Sequence, residues 1–132
     1  MATVLVVEDN ADNMTLAVML LESVGHTVLG AVDAEAGLSL ARDRHPDLIL
    51  MDIQLPGMDG LEATVLLKGD AATRAIPVIA VTALSMMGDE QRIRAAGCDG
   101  FISKPMRYEQ FLFIIADHLA RTLRPPPIHR SA

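Results

Sequence analysis

Five short apolar runs punctuate the chain: Thr3–Val7, Thr27–Ala31, Leu48–Met51, Val78–Val81 and Phe101–Ile102. The first, third and fourth are nearly continuous in Val, Leu, Ile and Met. Unbroken apolarity, rather than alternation, marks strands covered on both faces, as in a parallel sheet between two helix layers. The second run is more mixed and reads as an edge strand. The fifth is too short for periodicity to decide. Between the runs the apolar spacing turns helical. Leu16, Met19, Leu20 and Val24 form one stripe over Asn13–Val24, and Gly25 stands where a helix end favours left-handed backbone. Ala34–Arg42 carries Leu38 and Ala41 behind Asp33, a good N-cap. Gly60–Lys68 carries Leu61, Val65 and Leu66 behind Asp59. Asp89–Ala96 carries Ile93 and stops at Gly97. Arg107–Thr122 is the longest, with Phe111, Ile114, Ile115 and Leu119. Strand and helix alternate five times, which predicts an α/β fold with parallel strands and right-handed crossovers.

Composition narrows the class. The 132 residues suit one domain, and 51% hydrophobic with 21% charged residues excludes a disordered chain. A net charge of −6 argues against a nucleic-acid binder, because phosphate contacts need a basic face. Cys98 is the sole cysteine, so no intramolecular disulfide can form, and a packing role is expected for it. No apolar run approaches the ~18 residues of a membrane span, and no basic segment precedes the first apolar run. A cytoplasmic protein is expected. One domain is expected over 1–122, followed by a Pro-rich tail over 123–132, where Pro125, Pro126 and Pro127 cannot continue a helix.

Ligands of open α/β sheets gather at the carboxyl ends of the strands. The first predicted strand delivers Glu8 and Asp9 there, the third Asp52 and the fourth Thr82. The fifth is followed by Lys104 and Pro105. Three carboxylates in one crevice repel one another and raise their neighbours' pKa. A divalent cation would offset that charge, and oxygen ligands without nearby His or a second Cys suit Mg²⁺ or Mn²⁺ rather than zinc. Asp9 would bind the ion directly and Glu8 through water or in reserve, with the Gln54 backbone carbonyl completing the shell. The Lys104 ammonium and the Thr82 hydroxyl suit phosphoryl oxygens. Asp52, between Met51 and Ile53, is then the candidate nucleophile, forming an acyl phosphate. Positioning and electrostatics would supply most of the acceleration. Taken singly, Asp9 and Asp52 could be turn residues or helix caps, Thr82 an ordinary strand residue and Lys104 a surface cation. Their arrival in order at one sheet edge is what points to chemistry. Two rivals fit poorly. No Walker-type or GxGxxG loop follows the first strand, and Gln54 stands where a haloacid-dehalogenase-type phosphatase needs a second acid.

Four motifs now stand together: Val7-Glu8-Asp9-Asn10, Leu50 to Gly60, Val81-Thr82-Ala83 and Phe101-Ile102-Ser103-Lys104-Pro105. Over about residues 2–121 the chain resembles the response-regulator receiver domains of bacterial two-component signalling, and among them the stand-alone receivers. The resemblance implies a flavodoxin-like three-layer sandwich with strand order 2-1-3-4-5, and phosphate transfer to Asp52 from a histidine kinase or histidine phosphotransfer protein. It implies metal binding by Glu8, Asp9, Asp52 and the Gln54 carbonyl, and a cis Lys104–Pro105 peptide. It also implies a switch in which phosphate attracts Thr82 and an aromatic residue, here Phe101, turns inward. Phe101 lacks the hydroxyl of Tyr, so an inward bias is expected. The output surface would be the face of the fourth helix, fifth strand and fifth helix, with Met86, Met87, Arg92, Tyr108 and Phe113. Kinase docking would use the first helix, at Asn10, Asn13, Met14 and Ala17. Such a receiver is no enzyme beyond its own phosphorylation and dephosphorylation, and acts as a monomer or weak dimer. Leu84, two residues past Thr82, and Gln54 flank the path of attacking water, so slow loss of phosphate is expected. Two other readings stay open: a receiver module of a hybrid histidine kinase, and a pseudo-receiver that binds partners without phosphate.

Overall fold

The structure, a computed structural model, describes residues 2–83, 87–104 and 107–123. Strands and helices alternate as β1 (Thr3–Val7), α1 (Ala11–Ser23), β2 (Thr27–Ala31), α2 (Ala34–Arg44), β3 (Leu48–Asp52), α3 (Gly60–Gly69), β4 (Val78–Thr82), α4 (Met87–Ala95), β5 (Gly100–Ser103) and α5 (Tyr108–Leu123). All strands are parallel and lie in the order β2-β1-β3-β4-β5. The short fifth run is thus a strand, and the mixed second run is an edge strand.

The sheet divides the core in two. Leu5, Val7, Ile49, Met51 and Ala80 point to one face and pack with Ala41, Ala63, Leu67 and Ile93 of α2, α3 and α4. Val4, Val6, Leu50, Ile79 and Val81 point to the other, against Ala17 and Leu21 of α1 and Phe111, Ile115 and Leu119 of α5. Every residue of β3 and β4 is buried, as their continuous apolarity requires. Cys98 is buried with its thiol near the Thr64 hydroxyl, a packing residue as expected.

Side-chain caps set where the helices begin. Asn10 Oδ1 accepts from the Asn13 N–H at 3.0 Å, Asp33 Oδ1 from Ala36 at 2.8 Å and Asp59 Oδ1 from Glu62 at 2.9 Å. Each is worth about 1 kcal/mol. Gly97, at φ +105°, supplies the left-handed turn that ends α4.

Two helices bury a different face from the one their stripes predict. On α1 the core residues are Ala17 and Leu21, while Leu16, Met19 and Val24 are exposed. On α3, Ala63, Thr64 and Leu67 are buried and Val65 and Leu66 lie outside. Both helices are apolar over most of their circumference, so spacing alone does not choose a face. The small side chains of Ala17 and Ala63 decide it by letting the helices close on the sheet. No helix among the described residues is long and apolar enough to cross a membrane.

Candidate functional site

Strand register brings the predicted residues level. Asp52 is the last residue of β3 and pairs with Val81, and Thr82 ends β4 opposite Ser103. The Glu8 amide, just past β1, donates to the Ala31 carbonyl at 2.9 Å, and the Lys104 amide donates to the Thr82 carbonyl at 2.7 Å. Every strand of the sheet except the edge strand β2 therefore ends beside one crevice with a polar side chain in it.

Within the crevice, carboxylate oxygens of Glu8, Asp9 and Asp52 lie within 4.8 Å of one another. Glu8 and Asp52 are buried and Asp9 is exposed. Lys104 Nζ sits 3.0 Å from Asp52 Oδ2 and 3.4 Å from Glu8 Oε1. The other oxygens have backbone donors: Gln54 N–H to Asp52 Oδ1 at 3.0 Å, and Asn10 N–H to Glu8 Oε2 at 3.2 Å. Thr82 is buried beside them. The loop after β3 keeps this geometry through Gly60, whose N–H donates to the Ile53 carbonyl at 3.0 Å. A Cβ at position 60 would collide with the Asp52 carbonyl. The sequence shows Gly60 only as the start of a helix, and its close approach to Asp52 leaves no periodic signal.

Three acids face one ammonium, and the electrostatics register the surplus. Burial, reinforced by hydrogen bonding to Asp52, pushes the Glu8 carboxyl up to about 7, against the opposing pull of the Asn10 amide. For Lys104, burial pulls the ammonium down, but the hydrogen bond and charge of Asp52, with those of Glu8, outweigh it and raise its pKa overall. The donors are all hard oxygens, two of them buried, with negative charge left over. That set fits a divalent cation of the magnesium type.

Phe101 lies on β5, half-buried against the core under α3 and α4. Arg94 of α4 reaches over it, with Cζ 6.0 Å from the ring centroid. Sequence reasoning missed this contact, because it depends on how α4 crosses β5. On α5, Tyr108 and Phe113 are exposed, and Phe113 is 70% accessible. Phe111 and Ile115 are core, as expected. Arg92 is exposed and bonds to Asp89. On α1, Asn13 and Met14 are half-buried and Ala17 is buried. Pro105, and with it the cis-peptide expectation, Leu84, Met86, the side chain of Met87 and the 124–132 tail lie outside the described residues.

Comparison with known proteins agrees with this fold. The model of the response regulator receiver domain family matches residues 4–116. The chain is 50% identical over 117 residues to the polar-differentiation response regulator DivK of Brucella ovis, covering 89% of this chain and 95% of that protein. Among solved structures it resembles the receiver domain of the Pseudomonas aeruginosa sensor histidine kinase PA1611, determined with a magnesium ion coordinated in the active site cleft. The TM-score there is 0.84 at 31% identity, over 90% of this chain and 98% of that one. Vibrio cholerae chemotaxis protein CheY4 matches with a TM-score of 0.84 at 26% identity, over 89% and 98% of the two chains. These relatives share the architecture of the five-stranded parallel sheet, and the chain belongs to the response-regulator receiver domain family.

Proposed function

We propose that Asp52 is a phosphoacceptor that takes a phosphoryl group from a phosphohistidine, and that residues 1–122 form the receiver, with 123–132 a Pro-rich extension. The observation that carries this reading is the placement of the buried Asp52 carboxylate 3.0 Å from Lys104 Nζ, within a cluster of three acids. In the transfer, the P–O bond to an Asp52 carboxylate oxygen forms as the P–N bond of the donor breaks, and the imidazole nitrogen keeps the electron pair. Lys104 changes partner, from the carboxylate to an oxygen of the incoming phosphoryl group, so charge is stabilised where it arrives. The Thr82 hydroxyl donates to a second phosphoryl oxygen. Glu8, Asp9, Asp52 and the Gln54 carbonyl would hold Mg²⁺ or Mn²⁺. When bound, the ion offsets the carboxylates and polarises the phosphoryl oxygens.

The donor is a histidine kinase or histidine phosphotransfer protein docking near α1, where Asn10 and Asn13 flank the crevice. The signal leaves by the α4–β5–α5 face, where Tyr108 and Phe113 give an apolar partner surface. Phe101 couples the two: when Thr82 moves toward phosphate, the ring settles inward on the core it already touches. Phosphate loss is slow, on the order of minutes or longer, because apolar Leu84, two residues past Thr82, would exclude or fail to orient the attacking water. A role as receiver module of a hybrid histidine kinase is the second reading, favoured by the likeness to the PA1611 receiver.

Incubation with acetyl phosphate and Mg²⁺, followed by intact mass measurement, tests the central claim. An adduct of about 80 Da is expected on the wild type and none on Asp52→Asn. An adduct that survives the substitution would refute the assignment.

A further inference from the structure

An open groove of about 750 Å³ runs between α2 and α3, away from the acidic crevice. Leu38 of α2 and Val65, Leu66 and Leu67 of α3 form its apolar lining. Val65 and Leu66 are 54% and 50% accessible, although the fold makes no use of them. Large side chains left in water on adjacent positions of one helix are a surface waiting for cover. The charge at the groove has a direction. Arg42 at the end of α2 and Arg74 beyond α3 both border it and are exposed. Neither forms an ion pair among the described residues, in a chain whose acids outnumber its Lys and Arg by 17 to 11. Asp70, the acid at the same rim, is engaged in its own turn, with Oδ1 accepting from the Ala72 N–H at 2.9 Å. Lys68 nearby points to Asp99 instead.

An apolar floor with two unpaired guanidinium groups complements apolar side chains flanked by carboxylates. The ridge of an amphipathic helix fits between two helices in this way. We propose that the α2–α3 groove docks an acidic amphipathic helix of a partner protein, with its carboxylates on Arg42 and Arg74. The place of the groove adds a second property. α3 begins beside Asp52 and runs away from it for about 15 Å at helical rise, so the Gly69–Arg74 end lies at the opposite edge of the sheet from Thr82 and Lys104. Docking there is independent of phosphorylation: it anchors the receiver and does not read its state.

The probe is a synthetic helical peptide of about 18 residues with a Leu stripe flanked by Glu, and a control of the same length with Lys for Glu. Each is titrated into the isotope-labelled full chain while amide resonances are followed. The Glu peptide is expected to shift amides of α2, α3 and residues 69–74. The double variant Arg42→Glu/Arg74→Glu should weaken it about fivefold and bind the Lys peptide better, while Arg42→Lys/Arg74→Lys keeps the original preference. Leu66→Asp should abolish binding of the Glu peptide, and beryllofluoride with Mg²⁺ should leave its affinity unchanged. Equal binding of both peptides, shifts centred on α1 or α5, or an affinity that follows beryllofluoride would each overturn the proposal. So would groove shifts on concentrating the protein alone, which would make a second copy the occupant. Phosphorylation of Asp52 is measured separately, so failure here leaves that reading intact, and the converse.

Discussion

Two lysines hold opposite edges of the same sheet, and the contrast between them separates structure from chemistry. Lys68 Nζ donates to Asp99 Oδ2 at 2.9 Å and to the carbonyls of Ile76 and Arg74 at 2.8 and 3.3 Å. Asp99 Oδ2 also accepts from the Val78 N–H at 2.8 Å. One cation meets one anion, and backbone groups complete both, so the knot ties α3 to the entries of β4 and β5. Lys104 has the same side-chain accessibility, 21%, and a similar distance to its aspartate. Yet it faces three acids, two of them buried. The first arrangement is closed and has nothing left to bind. The second carries surplus negative charge that a proton on Glu8 or an added cation can offset, and an ammonium able to change partner.

The largest expected break in that comparison is chemical. Asp52→Asn should eliminate acetyl-phosphate labelling, while Lys68→Met leaves it close to wild type, both measured by intact mass. Next in size is stability. Lys68→Met removes a solvent-accessible ion pair and the donor to two carbonyls and should cost about 1 kcal/mol in urea unfolding. Asp52→Asn removes a repelling carboxylate and should leave metal-free stability unchanged or raise it by about 1 kcal/mol. A metal effect of intermediate size should follow pH. The folded Glu8 pKa of about 7 lies above its ordinary value of 4.5. Its neutral form therefore stabilises the metal-free fold fully below pH 4.5, and that contribution is lost as pH rises through 7. Mg²⁺ should accordingly raise the melting temperature more at pH 8 than at pH 6, and scanning calorimetry of wild type beside Asp9→Asn would show the gain shrinking in the variant. The smallest effect concerns the aromatic switch. Arg94→Ala removes a contact worth about 0.5–1 kcal/mol at an exposed site, so beryllofluoride-induced shifts at Phe101 should change by a few-fold in midpoint at most.

Much of this is legible in the amino-acid sequence. β3 and β4 are covered on both faces, so their residues are apolar without interruption, and the chemistry at their ends is set off sharply. Asp33 and Asp59 read as caps and act as caps. The faces of α1 and α3 were not legible, because apolar side chains run nearly all round each helix and the choice falls to Ala17 and Ala63. That ambiguity has a functional side: the same excess leaves Val65 and Leu66 in solvent. Gly60 and Arg94 were silent for a different reason. One acts through an atom it lacks, and the other through a crossing that no local pattern encodes.

The crowding at Gly60 bears on transplantation. An engineer wishing to install this acceptor in another parallel α/β scaffold cannot move the aspartate alone. The turn from Asp52 to Gly60 folds back until amide meets carbonyl, so the nine-residue stretch 52–60 is the smallest portable cassette. Randomising its last position should return glycine almost exclusively from any selection for labelled protein.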